Sequence, residues 1–220
     1  MTSQSQPEGR PAVPFQWCPI RALAPRHRGR VLDHLLALNE SDRHLRFGYV
    51  AGDGHIGRYV DQLDFDRDEV FGVFNRRLKL VAMAHLAYLG QDMRHPTSAE
   101  FGVSVNQKSR GRGIGARLFD RAALHARNRG IDTMIIHALT DNVPMMHIVR
   151  ESGAAIERDG AESTARLRLP PDDIGSQLHE MFEVQAAEFD YGLKLQARRV
   201  GDLIDALRPS VSSQPNRHGD

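Results

Sequence analysis

Cysteine is almost missing from this chain: Cys18 is the only one in 220 residues. No internal disulfide and no cysteine-based zinc cluster can form, which fits a reducing compartment. The eleven histidines never fall as close pairs or as H-x-x-x-H, so no metal site is expected. An excess of charge of one sign is also lacking. Lys and Arg number 29 against 28 Asp and Glu, a net charge of +1, whereas a free-standing nucleic-acid binder draws its affinity from a basic excess. No stretch approaches the roughly 18 to 20 apolar residues of a membrane span. The first thirty residues lack the charged-then-apolar build of a secretion signal. A cytoplasmic protein without nucleic-acid or membrane partners is expected.

What is present divides unevenly. Residues 1–13 and 209–220 are rich in Ser, Gln, Pro and Gly, too polar to repay the entropy of ordering. Residues 14–170 read as one domain and 171–208 as a helical extension. Periodicity and punctuation predict a strand near Phe15–Leu23, a helix near Pro25–Leu38, a polar connection N-E-S-D-R-H-L-R-F-G-Y, and a short helix near His55–Leu63. Strands follow at Val70–Phe74, Leu78–Leu89 and Ala99–Val105, then a helix over Gly113–Arg129 ended by Gly130. A strand at Thr133–Leu139, a helix opened by Pro144 and ended near Gly153, and a hairpin of Ala154–Glu157 with Ser163–Leu169 complete the domain. The fold class is mixed α/β (α+β): a largely antiparallel central sheet flanked by helices, with the C-terminal helical extension.

The strongest chemical signal is V-S-V-N-Q-K-S-R-G-R-G-I-G-A-R-L-F, residues 103–119. A strand enters a turn with glycines at 111, 113 and 115 and leaves as a helix. Alternating glycines let successive amides turn inward. Those amides, the positive end of the helix dipole, and Arg110 and Arg112 together suit a diphosphate. A P-loop requires Gly-Lys-Ser/Thr, and Gly115 is followed by Ala116 and Arg117. A dinucleotide fingerprint requires G-x-G-x-x-G and an acid ending the next strand, and Asp132 begins it instead.

The run Arg110-Gly111-Arg112-Gly113-Ile114-Gly115 resembles the acyl-coenzyme A loop of the GNAT (Gcn5-related) N-acetyltransferase superfamily. A-E-F-G-V-S-V upstream looks like that family's fourth strand, and D-N-V-P-M-M-H-I-V-R-E-S-G downstream like its Asn, helix and terminal Gly. Together with L-N-E-S-D-R-H-L-R-F, these segments look most like the catalytic domain of bacterial protein-lysine acetyltransferases and their small-molecule relatives. The resemblance implies acetyl-CoA as co-substrate and an acceptor amine on a small molecule or a protein lysine. It implies a fourth and fifth strand that splay apart, with Val103, Ser104 and Val105 meeting the pantetheine arm. The turn formed by Arg110, Gly111, Arg112, Gly113, Ile114 and Gly115 would hold the pyrophosphate. Asn142 is either a pantetheine contact or a plain helix cap before Pro144.

Acetyl transfer requires a neutral amine nitrogen. Glu100, at the start of the strand and matching the family's A-E-x-x-x acid, is the candidate catalytic residue. Many relatives carry a tyrosine in the helix after the Asn; here Val149 stands in that place. His147 is a lesser candidate for the general acid, and Cys18 a lesser one still for an acyl-carrying nucleophile. Asp61, Asp64, Asp66 and Asp68 are either a lure for a cationic amine or a solvated loop. In the extension, Leu178, Phe182, Phe189, Leu193, Val200, Ile204 and Leu207 fall at helical spacing. That stripe fits a locally packed hairpin or the seam of a homodimer.

Overall fold

The computed structural model describes residues 19–90 and 97–170. The extension, the terminal tails and Cys18 lie outside the described residues. Seven strands form one sheet in the order β1-β2-β3-β4-β5-β7-β6. They are β1 (Ile20–Ala22), β2 (Glu69–Phe74), β3 (Leu80–Leu89), β4 (Ser98–Val105), β5 (Thr133–Leu139), β6 (Ala155–Asp159) and β7 (Glu162–Arg168). Every neighbouring pair is antiparallel except β4 with β5. A parallel pair requires a crossover, and helix α4 (Ile114–Asn128) supplies it.

Alternation along the strands divides the core in two. On one face Phe71, Leu86, Ala99 and Phe101 pack against α4, whose Leu118, Ala122 and Ala126 form a fully buried stripe, and against α5 (Val143–Glu151). On the other face Val70, Leu80 and Met83 meet Val31 and Leu35 of α1 (Arg28–Leu36) and Ile56 and Val60 of α3 (Asp53–Gln62). Gly130, at φ +73°, ends α4 in the left-handed conformation that glycine adopts without a Cβ clash.

The segment expected as a polar connection is a helix, α2 (Glu40–Phe47). Its signals are complete. Asn39 Oδ1 accepts from Asp42 N–H at 2.8 Å, Glu40 and Asp42 occupy the first turn, and Gly48 closes it at φ +81°. Its inner side is polar, which concealed it. Arg43 donates to the carbonyls of Leu36, Leu38 and Ala51 and pairs with Asp53 at 2.7 Å, tying the end of α1 to the start of α3.

His34 is buried under the sheet, with Nε2 2.8 Å from Ser104 Oγ. Burial pushes its pKa from 6.5 down to about 4. Burial, then the neighbouring Arg26, Arg21 and Arg30, lower His27 to about 4 as well. Between those values the unfolded chain binds protons that the folded chain refuses, so stability falls as pH falls. We expect His34 alone to account for about 2 kcal/mol of lost stability between pH 7 and pH 5. Denaturant unfolding at the two pH values checks this; His34→Gln should flatten the slope, and an unchanged slope would contradict it.

Candidate active site

The parallel pair is short. Ser98, Ala99 and Glu100 of β4 face Thr133, Met134 and Ile135 of β5, and there the pairing stops. β5 runs on against β7, while β4 continues to Val105 against β3 alone. Beyond Glu100, β4 therefore has one open edge. Asn106 N–H donates to Val81 on β3 at 2.9 Å. Counting back by twos, Ser104 and Gly102 also turn their peptide groups to β3, and Val103 and Val105 turn theirs to the opening. Strand-edge peptide groups require partners, and along this edge Val103 and Val105 have none from a neighbouring strand.

At the opening lies a cavity of about 320 Å³. Glu100 and Val103 line it from β4, Arg46 from α2, Leu139 from β5, and Asn142 and Met145 from the start of α5. Asn142 Oδ1 accepts from Met145 N–H at 3.2 Å, so the residue both caps α5 and borders the cavity. Glu100 is exposed within it. A larger cavity, about 900 Å³, lies between α1 and the turn around Asn106–Ser109. It contains neither Glu100 nor the open edge, so the smaller one is the candidate site.

β4 ends at the glycine turn. Gly111 and Gly113 sit at φ +72° and +70°, where other residues are strained, so these two glycines are required by the backbone. The first helical bond here runs from Arg117 N–H to the Gly113 carbonyl. The amides of Ile114, Gly115 and Ala116 thus have no partner in the helix. Arg112 is exposed beside them. Arg110 is turned away: its Nε donates to the Val105 carbonyl at 3.1 Å and its Nη2 lies 2.5 Å from Asp42 of α2. Ser104 also stands apart from the opening, its peptide toward β3 and its hydroxyl on His34.

Arg46 is tied to three side chains that do not line the cavity, and of these the sequence had singled out only Asp68. Arg46 Nη2 donates to Tyr59 Oη at 2.9 Å, Tyr59 Oη lies 2.9 Å from His85 Nδ1, and His85 Nε2 lies 3.2 Å from Asp68 Oδ2. The three contacts form one continuous hydrogen-bonded chain, in which the tautomer of His85 sets the roles of its two ring nitrogens. Burial works to raise the Asp68 pKa, but hydrogen bonds from Arg67 and His85 outweigh it and hold the carboxyl below the usual range. Burial raises Tyr59, against the pull of Arg46, and keeps the phenol protonated.

The other sequence candidates are elsewhere. His147 is exposed on α5, 3.3 Å from Glu151, and does not border the cavity. Val149 is buried in the core, so α5 offers no acid at that position. Asp64 accepts from the amides of Asp66 and Arg67 in a hydrogen-bonded turn, and none of the four aspartates lines the cavity. Among the described residues no group of three or more His, Cys, Asp or Glu side chains is placed to hold a metal ion, and no helix is long and apolar enough to cross a membrane.

A sheet opened between its parallel strands, with a glycine turn leading from the open edge into the crossover helix, is the architecture of acyl-CoA-binding transferases. The sequence matches the Acetyltransferase (GNAT) family over residues 38–154, more than half the chain, and the protein belongs to that family. Its fold is similar to the GNAT domain of PAT from S. lividans, with 17% identity, TM-score 0.60, and coverage of 69% of this chain and 90% of that one. It is also similar to YncA of Salmonella typhimurium, solved with its cofactor acetyl-CoA, at 13% identity and TM-score 0.55 over 72% of this chain and 97% of that one. A cAMP-binding acyltransferase from Mycobacterium smegmatis matches at 21% identity and TM-score 0.52, over 78% of this chain and 52% of that one.

Proposed function

We propose that the protein is an acyl-CoA-dependent N-acyltransferase that transfers acetyl from acetyl-CoA to a primary amine, of a small molecule or a protein lysine, in the cytoplasm. The observation that carries the reading is the run along β4 from a carboxylate, through an unpaired strand edge, to a turn of unpartnered amides. A thioester on a pantetheine arm with a diphosphate at its far end has that same order of groups. Val103 and Val105 would bond the arm; at Val105 the bond from Arg110 gives way to one from the ligand. The amides from Gly111 to Gly115, with Arg112, would take the pyrophosphate.

In the reaction the amine nitrogen attacks the thioester carbonyl, a C–N bond forms, and the C–S bond breaks with departure of the coenzyme A thiolate. Glu100 takes the proton that the nitrogen sheds. A backbone N–H on the open side of β4 is the donor available to the oxyanion. Since Val149 supplies no acid, the thiolate leaves unaided or takes its proton from water, which its low basicity permits. Direct attack requires both substrates bound together. Initial rates against both substrates should give intersecting double-reciprocal lines; parallel lines would instead demand a covalent acyl-enzyme. The buried Val149 also favours a second reading, an acyl-CoA sensor that binds the thioester without transferring it.

A further inference from the structure

The wall of the cavity carries a cation that no anion among the described residues meets. Arg46 reaches from α2 across β4, and it does so because residue 102 has no side chain: a Cβ there would meet the Arg46 guanidinium at 2.7 Å. The guanidinium lies over the rings of Phe47 and Tyr59, its carbon 5.2 and 5.5 Å from their centroids. Nη2 donates to Tyr59, and Nε is buried without a hydrogen-bond partner. Among the described residues, no carboxylate forms an ion pair with it.

Arginine stays charged at every accessible pH, and a partly desolvated charge without a counterion is costly. The chain of Tyr59, His85 and Asp68 fixes this side chain in place, as a ligand-binding group requires. Glu100 and Gly102 are two residues apart on the same face of β4, so the base of the Glu100 side chain and the position over Gly102 that the Arg46 guanidinium fills are about 7 Å apart along one wall. The cavity, about 320 Å³, has room for one small molecule beside the reacting end of a cofactor.

We propose that the acyl acceptor is a free amino acid, its amine presented to Glu100 and its carboxylate bound by Arg46. The proposal rests on the acyltransferase reading and selects a small zwitterion over a protein lysine, whose side chain brings no carboxylate of its own.

The test is thiol release from acetyl-CoA with matched pairs: α-, β- and γ-amino acids, their carboxamides, and a lysine peptide blocked at both ends. The best amino acid should exceed its carboxamide by at least about tenfold in kcat/KM, as expected for one charged hydrogen-bonded pair. Arg46→Gln should remove that preference, chiefly through KM. Gly102→Ala, which displaces the flexible end of Arg46 and leaves its charge, should reduce it. A coenzyme A titration by calorimetry verifies that each variant is folded. If the carboxamide or the blocked peptide equals the amino acid in the parent protein, or Arg46→Gln keeps the preference, the proposal is overturned while the acyltransferase reading stands. Coenzyme A binding without release to any acceptor overturns that reading and this proposal with it.

Discussion

Glu100→Gln should lower turnover by about 10²- to 10⁴-fold, the usual loss when a general base is removed, and leave coenzyme A affinity within about twofold. The substitution keeps the volume and loses the negative charge and with it the ability to take a proton. Glu100 projects from the last residue of β4 that still pairs with β5, into the cavity and away from the glycine turn, so cofactor binding should not notice it. The rate ratio of parent to variant should shrink as pH rises and hydroxide supplies free amine. A variant that turns over like the parent at all pH values would make Glu100 a spectator. The aspartates of residues 61–68 are poor substitutes, because Asp68 is buried against Arg67 and His85 and Asp64 is used in its turn.

Gly113→Val should weaken coenzyme A binding by at least about tenfold. Valine at φ +70° carries a strain on the order of 1–2 kcal/mol, and its branched side chain stands where amides must approach a diphosphate. An added Cβ meets nothing within 4 Å, so the fold should survive and the loss should appear in binding. Gly57→Ala, on α3 and outside the turn, is the control. Its Cβ would meet nothing within 4 Å, and affinity should change little. Unchanged affinity in folded Gly113→Val would remove the turn from the binding site.

The second prediction depends on features that were legible because they are local. Gly111 and Gly113 must be glycine for reasons contained in their own φ angles, and α4 announces itself through Leu118, Ala122 and Ala126. Helix α2 escaped because its inner face is held by Asp42 and Arg43 rather than by an apolar stripe. Its caps, Asn39 and Gly48, were there to be read. The open edge of β4 is a matter of register: nothing in A-E-F-G-V-S-V states that pairing with β5 stops at Glu100, and only the likeness to GNAT sequences implied it.

The chain from Arg46 to Asp68 was invisible for the same reason. Its members come from α2, α3, β3 and the residue before β2, and they meet because the sheet places His85 opposite Gly102 on one side and Val70 on the other. Arg110 shows the converse: a residue matched by motif whose guanidinium is committed to Asp42 and Val105.

The most direct measurement is free thiol release from acetyl-CoA in the presence of a panel of amines, followed by mass analysis of the acceptor. Release above the no-acceptor rate, matched mole for mole by an acetylated amine, is the predicted result. Tight coenzyme A binding with no release above background for any amine or lysine would contradict it, and would leave an acyl-CoA sensor in place of a transferase.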